Sequence, residues 1–151
     1  MQSSGAVGVI RAARASDMPQ IMEVEQLCFP KQWNESQFHP AFQDLFLVYE
    51  EGGKILGFIV ACSCEIARRA VIMRVAVHPE AQGRGIASRL LEQALATLRE
   101  KKIATVELDV EIPKTNAKRL YEKFGFKTLK VVHVDADYEN DAFYLMQLRF
   151  A

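Results

Sequence analysis

Gln82-Gly83-Arg84-Gly85-Ile86-Ala87-Ser88 joins two glycines and a guanidinium to the start of an amphipathic run. Glycine has no Cβ, so a ligand can come close to the backbone there. A helix that starts at this point offers unpaired N–H groups and the positive end of its dipole to an anion. Arg84 adds a fixed charge with forked donors. On these grounds the segment is a phosphate or pyrophosphate cradle. It is not a Walker loop, because G-x-x-x-x-G-K-[ST] occurs nowhere in the chain. It also lacks the G-x-G-x-x-G of a dinucleotide-binding turn.

Other residues could move protons. Glu107 and Asp109 alternate with Val106, Leu108 and Val110, so a strand here puts both carboxylates on one face. That face is either a source of a general base or simply solvated. Tyr121 stands on an apolar helical stripe with Ala117, Leu120 and Phe124, which makes it a core residue or a proton donor. Cys62 and Cys64 have no His or second Cys pair at zinc-ligand spacing. With Cys28 they are expected as buried free thiols, and no metal is expected. His39, His78 and His133 are scattered, without an obvious partner.

The order Gln82-x-x-Gly85-x-Ala87 resembles the acyl-CoA loop of the GNAT acetyltransferase superfamily. Leu120-Tyr121-Glu122-Lys123-Phe124-Gly125-Phe126 resembles that family's L-Y-E-x-x-G-F signature. The resemblance implies an enzyme, an N-acetyltransferase with acetyl-CoA as co-substrate, held by Gln82, Gly83, Arg84, Gly85, Ile86, Ala87 and Ser88. It implies main-chain contacts to the pantetheine from Val75, Ala76 and Val77, on a strand that splays from its neighbour at a bulge. Tyr121 would touch CoA and protonate the leaving thiolate. Val106 to Val110 resembles the strand that carries a catalytic glutamate in ribosomal-protein-alanine N-acetyltransferases. Gapless register puts Asp109 at that position, with Glu107 as the other candidate base. The same register puts Lys114 where that group has a CoA-contacting Asn; either Asn116, two residues later, takes over as the CoA-binding residue, or Lys114 meets a phosphate of CoA, or the contact is lost.

Two segments bear on the acceptor. Glu25 to Pro30, with Trp33 and Phe38, resembles the acceptor-side first-helix region of the same group. Glu139 to Met146 resembles its G-x-D-A-x-x-M ending, although the tyrosine pair that precedes that ending there is absent here. The resemblance implies a protein N-terminal α-amine. The acidic run Asp135, Asp137, Glu139 and Asp141 keeps a polyamine, a lysine or another small-molecule amine open. A non-catalytic acyl-CoA-binding module is the third reading.

These residues need a frame. The chain has 151 residues, enough for one domain with a real core. Lys+Arg and Asp+Glu balance at 19 each, so neither a nucleic-acid nor a membrane partner is expected. The longest predominantly apolar run, Ile55 to Cys64, is too short to span a bilayer and suits a buried strand. The N-terminus shows no secretory pattern, so a cytoplasmic location is expected; the chain is expected as a monomer or homodimer.

A single domain over 1–151 is expected, with residues 1–8 as a flexible head. Val9–Arg14 reads as a strand, followed by a helix capped by Ser16 or Asp17. Asn34 and Gln37 form a capping box for a second helix, with Trp33 and Phe38 as its staple. Leu45–Glu50 and Lys54–Cys64 are strands joined by Gly52-Gly53. Arg69–Val77 is a strand, and residues 83–101 form the long helix. Thr105–Val110, a short helix ending at Gly125, and a closing hairpin complete the chain. The order is β-α-α-β-β-β-α-β-α-β-β, an α/β fold with a mixed sheet and helices on both faces. The GNAT fold resembles it in this element order.

Overall fold

The computed structural model describes residues 7–133 and 142–150. The acidic run at 135–141 lies outside the described residues, as do residues 1–6 of the head. Seven strands and four helices follow one another: β1 (Gly8–Ala12), α1 (Met18–Cys28), α2 (Glu35–Phe38), β2 (Leu45–Glu51), β3 (Lys54–Cys64), β4 (Arg69–Val77), α3 (Ile86–Glu100), β5 (Thr105–Glu111), α4 (Thr115–Lys123), β6 (Lys127–His133) and β7 (Ala142–Arg149). They form one mixed sheet in the order β1-β2-β3-β4-β5-β7-β6. This is the expected element order and the expected class.

Alternation along the strands sends neighbouring side chains to opposite faces. Phe46 and Val48 of β2 pack with Ile21 and Val24 of α1 and with Phe38 and Phe58. Leu45 and Tyr49 belong to the other face, with Leu90, Leu91, Ala94 and Leu98 of α3. The apolar stripe of α3, at Ile86, Leu90, Leu91, Ala94, Leu95 and Leu98, is buried throughout. Gly52 and Gly53 both have positive φ, the backbone of a tight two-residue hairpin. The Asn34–Gln37 box is present, at 2.8 and 3.0 Å, and the Trp33 and Phe38 rings meet edge-on at 5.0 Å.

Some expectations give way. β1 begins at Gly8 and ends at Ala12, because the Arg14 N–H donates to Asp17 Oδ2 at 2.8 Å. Asp17 does not cap α1 with its side chain. Its carboxylate instead takes both Nη groups of Arg11, at 2.8 and 2.9 Å. Cys62 and Cys64 are exposed and Cys28 is half-buried, so none of the thiols is buried as expected. The buried stretch of β3 stops at Ala61, and both cysteines lie beyond it.

The feature that shapes the site is a separation inside the sheet. β4 and β5 pair in parallel only from Arg69 to Val71, opposite Thr105 to Glu107. Further along, the β3–β4 register slips by one residue at Met73, between the pairs Val60–Arg74 and Ala61–Ile72. A bulge of this kind bends and twists its strand. Val75 to Val77 therefore pair with β3 and not with β5.

Candidate active site

A cleft of about 620 Å³ opens where β4 leaves β5. Val75, Ala76, Val77, Gln82, Gly83, Gly85, Ile86, Ala87 and Ser88 line one side. Residues 113–117, Leu120 and Tyr121 line the other. Ala76 and Ile86 are buried, so they offer the cleft mainly backbone. Gly83 and Gly85 have φ near +80°, a left-handed backbone that favours glycine. A Cβ built on either would meet no atom within 4 Å, so this wall is open to a ligand. Gly85 precedes α3 without a side-chain cap, which leaves the first-turn amides for an anion. Gln82 steadies the loop through Nε2, which donates to the Val77 carbonyl at 3.1 Å.

Arg84 is placed differently from its loop neighbours. Its guanidinium reaches away to Glu51 at 2.7 Å and does not line the cleft. Lys114 and Asn116 both line it. Lys114 also pairs with the exposed Glu111 at 3.6 Å and lies 5.5 Å from the Phe29 ring.

A second cleft, of about 310 Å³, meets the first at Val75, Lys114, Ala117 and Tyr121. Phe29, Met73, Arg74, Asp109, Glu111 and Phe143 contribute to its walls. Tyr121 thus borders both spaces. Its ring packs edge-on to Phe126 at 5.9 Å. Burial pushes its pKa up to about 12, so the phenol keeps its proton.

The two candidate carboxylates occupy different surroundings. Glu107 stands opposite Val71, in the last paired position of β4 and β5. It accepts from Arg69 at 2.8 Å and from Gln147 Nε2 at 2.9 Å, and it lines neither cleft. Asp109 lies just past the separation and lines the second cleft. Its backbone pairs with Leu145 of β7, and its carboxylate makes no hydrogen bond or ion pair with any described residue. The strand pattern placed both on one face, and the end of the pairing separates them.

Of the segment expected on the acceptor side, Phe29 reaches the second cleft, whereas Phe38 is buried in the core and Leu27 is exposed. Sequence reasoning missed Arg74. A charge inside the otherwise apolar run 70–77 and Glu25 on the apolar stripe of α1 were the available signal, since buried charges come in pairs. Among the described residues, no group of three or more His, Cys, Asp or Glu could hold a metal ion. No helix among them is long and apolar enough to cross a membrane.

Residues 18–126 match the acetyltransferase (GNAT) family, and the chain belongs to it. It is an acyltransferase of that family. Two relatives narrow the comparison. The chain is 27% identical over 122 residues to the ribosomal protein bS18-alanine N-acetyltransferase of Escherichia coli, covering 80% of this chain and 81% of that protein. It is 30% identical over 146 residues to an N-alpha-acetyltransferase of Sulfurisphaera tokodaii, covering 87% of each. The fold is also similar to that of Arabidopsis thaliana Naa50 in complex with the bisubstrate analogue CoA-Ac-MVNAL. The TM-score is 0.84, with 21% identity over 95% of this chain and 99% of that one.

Proposed function

We propose that this acetyl-CoA-dependent N-acetyltransferase acts on the α-amine of a protein N-terminus, with Asp109 as base and Tyr121 as acid. One observation carries the reading: Asp109 and Tyr121 line the same small cleft, and Tyr121 also borders the larger one. The larger cleft takes the donor. The amides of Ile86 to Ser88 receive the pyrophosphate, Gly83 and Gly85 let it approach, and Asn116 or Lys114 closes the opposite wall. Backbone groups of Val75 to Val77 hold the pantetheine and face the thioester, which supplies the acetyl group.

The smaller cleft takes the amine. Asp109 removes a proton from the ammonium, directly or through a water. An α-amine has an ordinary pKa of about 7.7–8.0 against about 10.4 for lysine, so a carboxylate base suits the former. Tyr121, neutral because it is buried, returns a proton to the leaving sulfur. A CoA-like thiol with an ordinary pKa of about 8.5 leaves readily, so this step aids the rate without controlling it. Arg74 pairs with Glu25 and Lys114 with Glu111, which leaves Asp109, among the described residues that line the cleft, as the charge without an ion-pair partner. A single ammonium matches that better than a polyamine does. The names of the two relatives, both N-terminal or alanine acetyltransferases, support the same acceptor class.

The test is thiol release from acetyl-CoA with a panel of peptides, polyamines and lysine. Release with free peptide N-termini, and little with spermidine or N-capped peptides, is expected. Release with polyamines alone would replace this acceptor by a small-molecule amine. CoA binding with no release for any amine would mark a non-catalytic module.

A further inference from the structure

Glu25 is fully buried in the last turn of α1, and Arg74 sits one residue before the cleft-lining strand Val75–Val77. Arg74 Nε donates to Glu25 Oε1 at 3.2 Å, and its Nη2 donates to Glu25 Oε2 as well. The same Nη2 donates to the Lys31 carbonyl at 3.0 Å. The guanidinium lies 3.7 Å from the centre of the Phe29 ring and 5.0 Å from that of Trp33. Glu25 Oε2 accepts from the Trp33 N–H at 2.8 Å. One ion pair therefore grips the α1–α2 connection, residues 29–34, at Phe29, Lys31 and Trp33. A second tie lies one turn away, where Cys28 Sγ donates to the Val77 carbonyl at 3.2 Å. Phe29 and Arg74 themselves line the smaller cleft, facing the strand that carries Asp109.

We propose that Arg74 is a positioning residue for the amine acceptor. By clamping Glu25 and stacking on Phe29 and Trp33, it fixes the connection that walls the acceptor cleft. This inference rests on the assignment of that cleft to the amine. A planar fork is required, because an ammonium cannot stack on two rings while meeting both carboxylate oxygens and a carbonyl. None of the residues that Arg74 contacts (Glu25, Phe29, Lys31 and Trp33) lines the donor cleft.

Arg74→Lys tests it, read in two ways. Trp33 is the chain's single tryptophan, so its emission and acrylamide quenching report the clamp without any catalysis. Quenching should rise, and the acceptor KM should rise about tenfold while the acetyl-CoA KM stays unchanged. The paired variant Glu25→Gln/Arg74→Met carries the same expectation and avoids leaving one buried charge unpaired. Unchanged quenching would overturn the clamp. Increased quenching with an unchanged acceptor KM, or an equal rise in both KM values, would overturn the positioning role. If the wild-type protein acetylates no amine, the acceptor assignment fails, and quenching still decides the clamp.

Discussion

A phenol whose ordinary pKa is 10.0 holds its proton to about 12 at Tyr121, because burial disfavours the phenolate. Tyr121 is therefore a donor throughout ordinary assay conditions. Tyr121→Phe should lower kcat about tenfold, leave acetyl-CoA affinity unchanged, and leave the shape of the pH–rate profile unchanged below about pH 9. Wild-type turnover in that variant would remove its acid role. The folded pKa lies above the unfolded one, so the buried phenol's contribution to stability is complete below pH 10 and is lost as pH rises through about 12. Asp109→Asn should cut kcat/KM about a hundredfold near neutral pH. The deficit should shrink above about pH 8, where the α-amine is already neutral. Glu107→Gln should have a far smaller effect, because that carboxylate is committed to Arg69 and Gln147. Steady-state thiol release across pH reads all three variants.

Elements show why some of this was legible in the sequence and some was not. The α3 stripe was readable because its period is local, and all six of its residues are buried. The turn at Gly83 and Gly85 was readable because positive φ leaves a mark in residue type. The choice between Glu107 and Asp109 was not, because it depends on where β5 stops pairing with β4, residues distant in sequence. Arg74 and Glu25 are likewise 49 residues apart. Cys62 and Cys64 were misjudged because composition does not tell where a long strand outruns its core. At Asp17 a neighbouring side chain, Arg11 of β1, displaced the helix cap. The hydrogen bonds from Arg11, together with the Arg14 N–H, hold its pKa below the ordinary value. A depressed carboxylate contributes stability above its unfolded pKa and loses it as pH falls through the folded one. Asp17→Asn should therefore cost about 2 kcal/mol at neutral pH. In urea titrations that difference from the wild type should fade in acid.

At the scale of the whole molecule, one sheet supplies both clefts. Its two helix-covered faces hold β3 and β4 together, while the early end of β4–β5 pairing opens the larger cleft. A ligand seated between these strands binds only the folded chain. Acetyl-CoA at a hundredfold over its Kd should raise the unfolding free energy by about 2.7 kcal/mol, with a Tm that climbs with concentration. A Tm indifferent to acetyl-CoA would contradict the donor site. The central claim joins donor, base and α-amine in one geometry. It is tested most directly by a peptide that carries both a free N-terminus and an internal lysine, incubated with acetyl-CoA and read by fragment mass spectrometry. The account predicts one acetyl group, on the N-terminal nitrogen. Acetyl on the lysine side chain, or no transfer to a peptide that competes with nothing else, would contradict it.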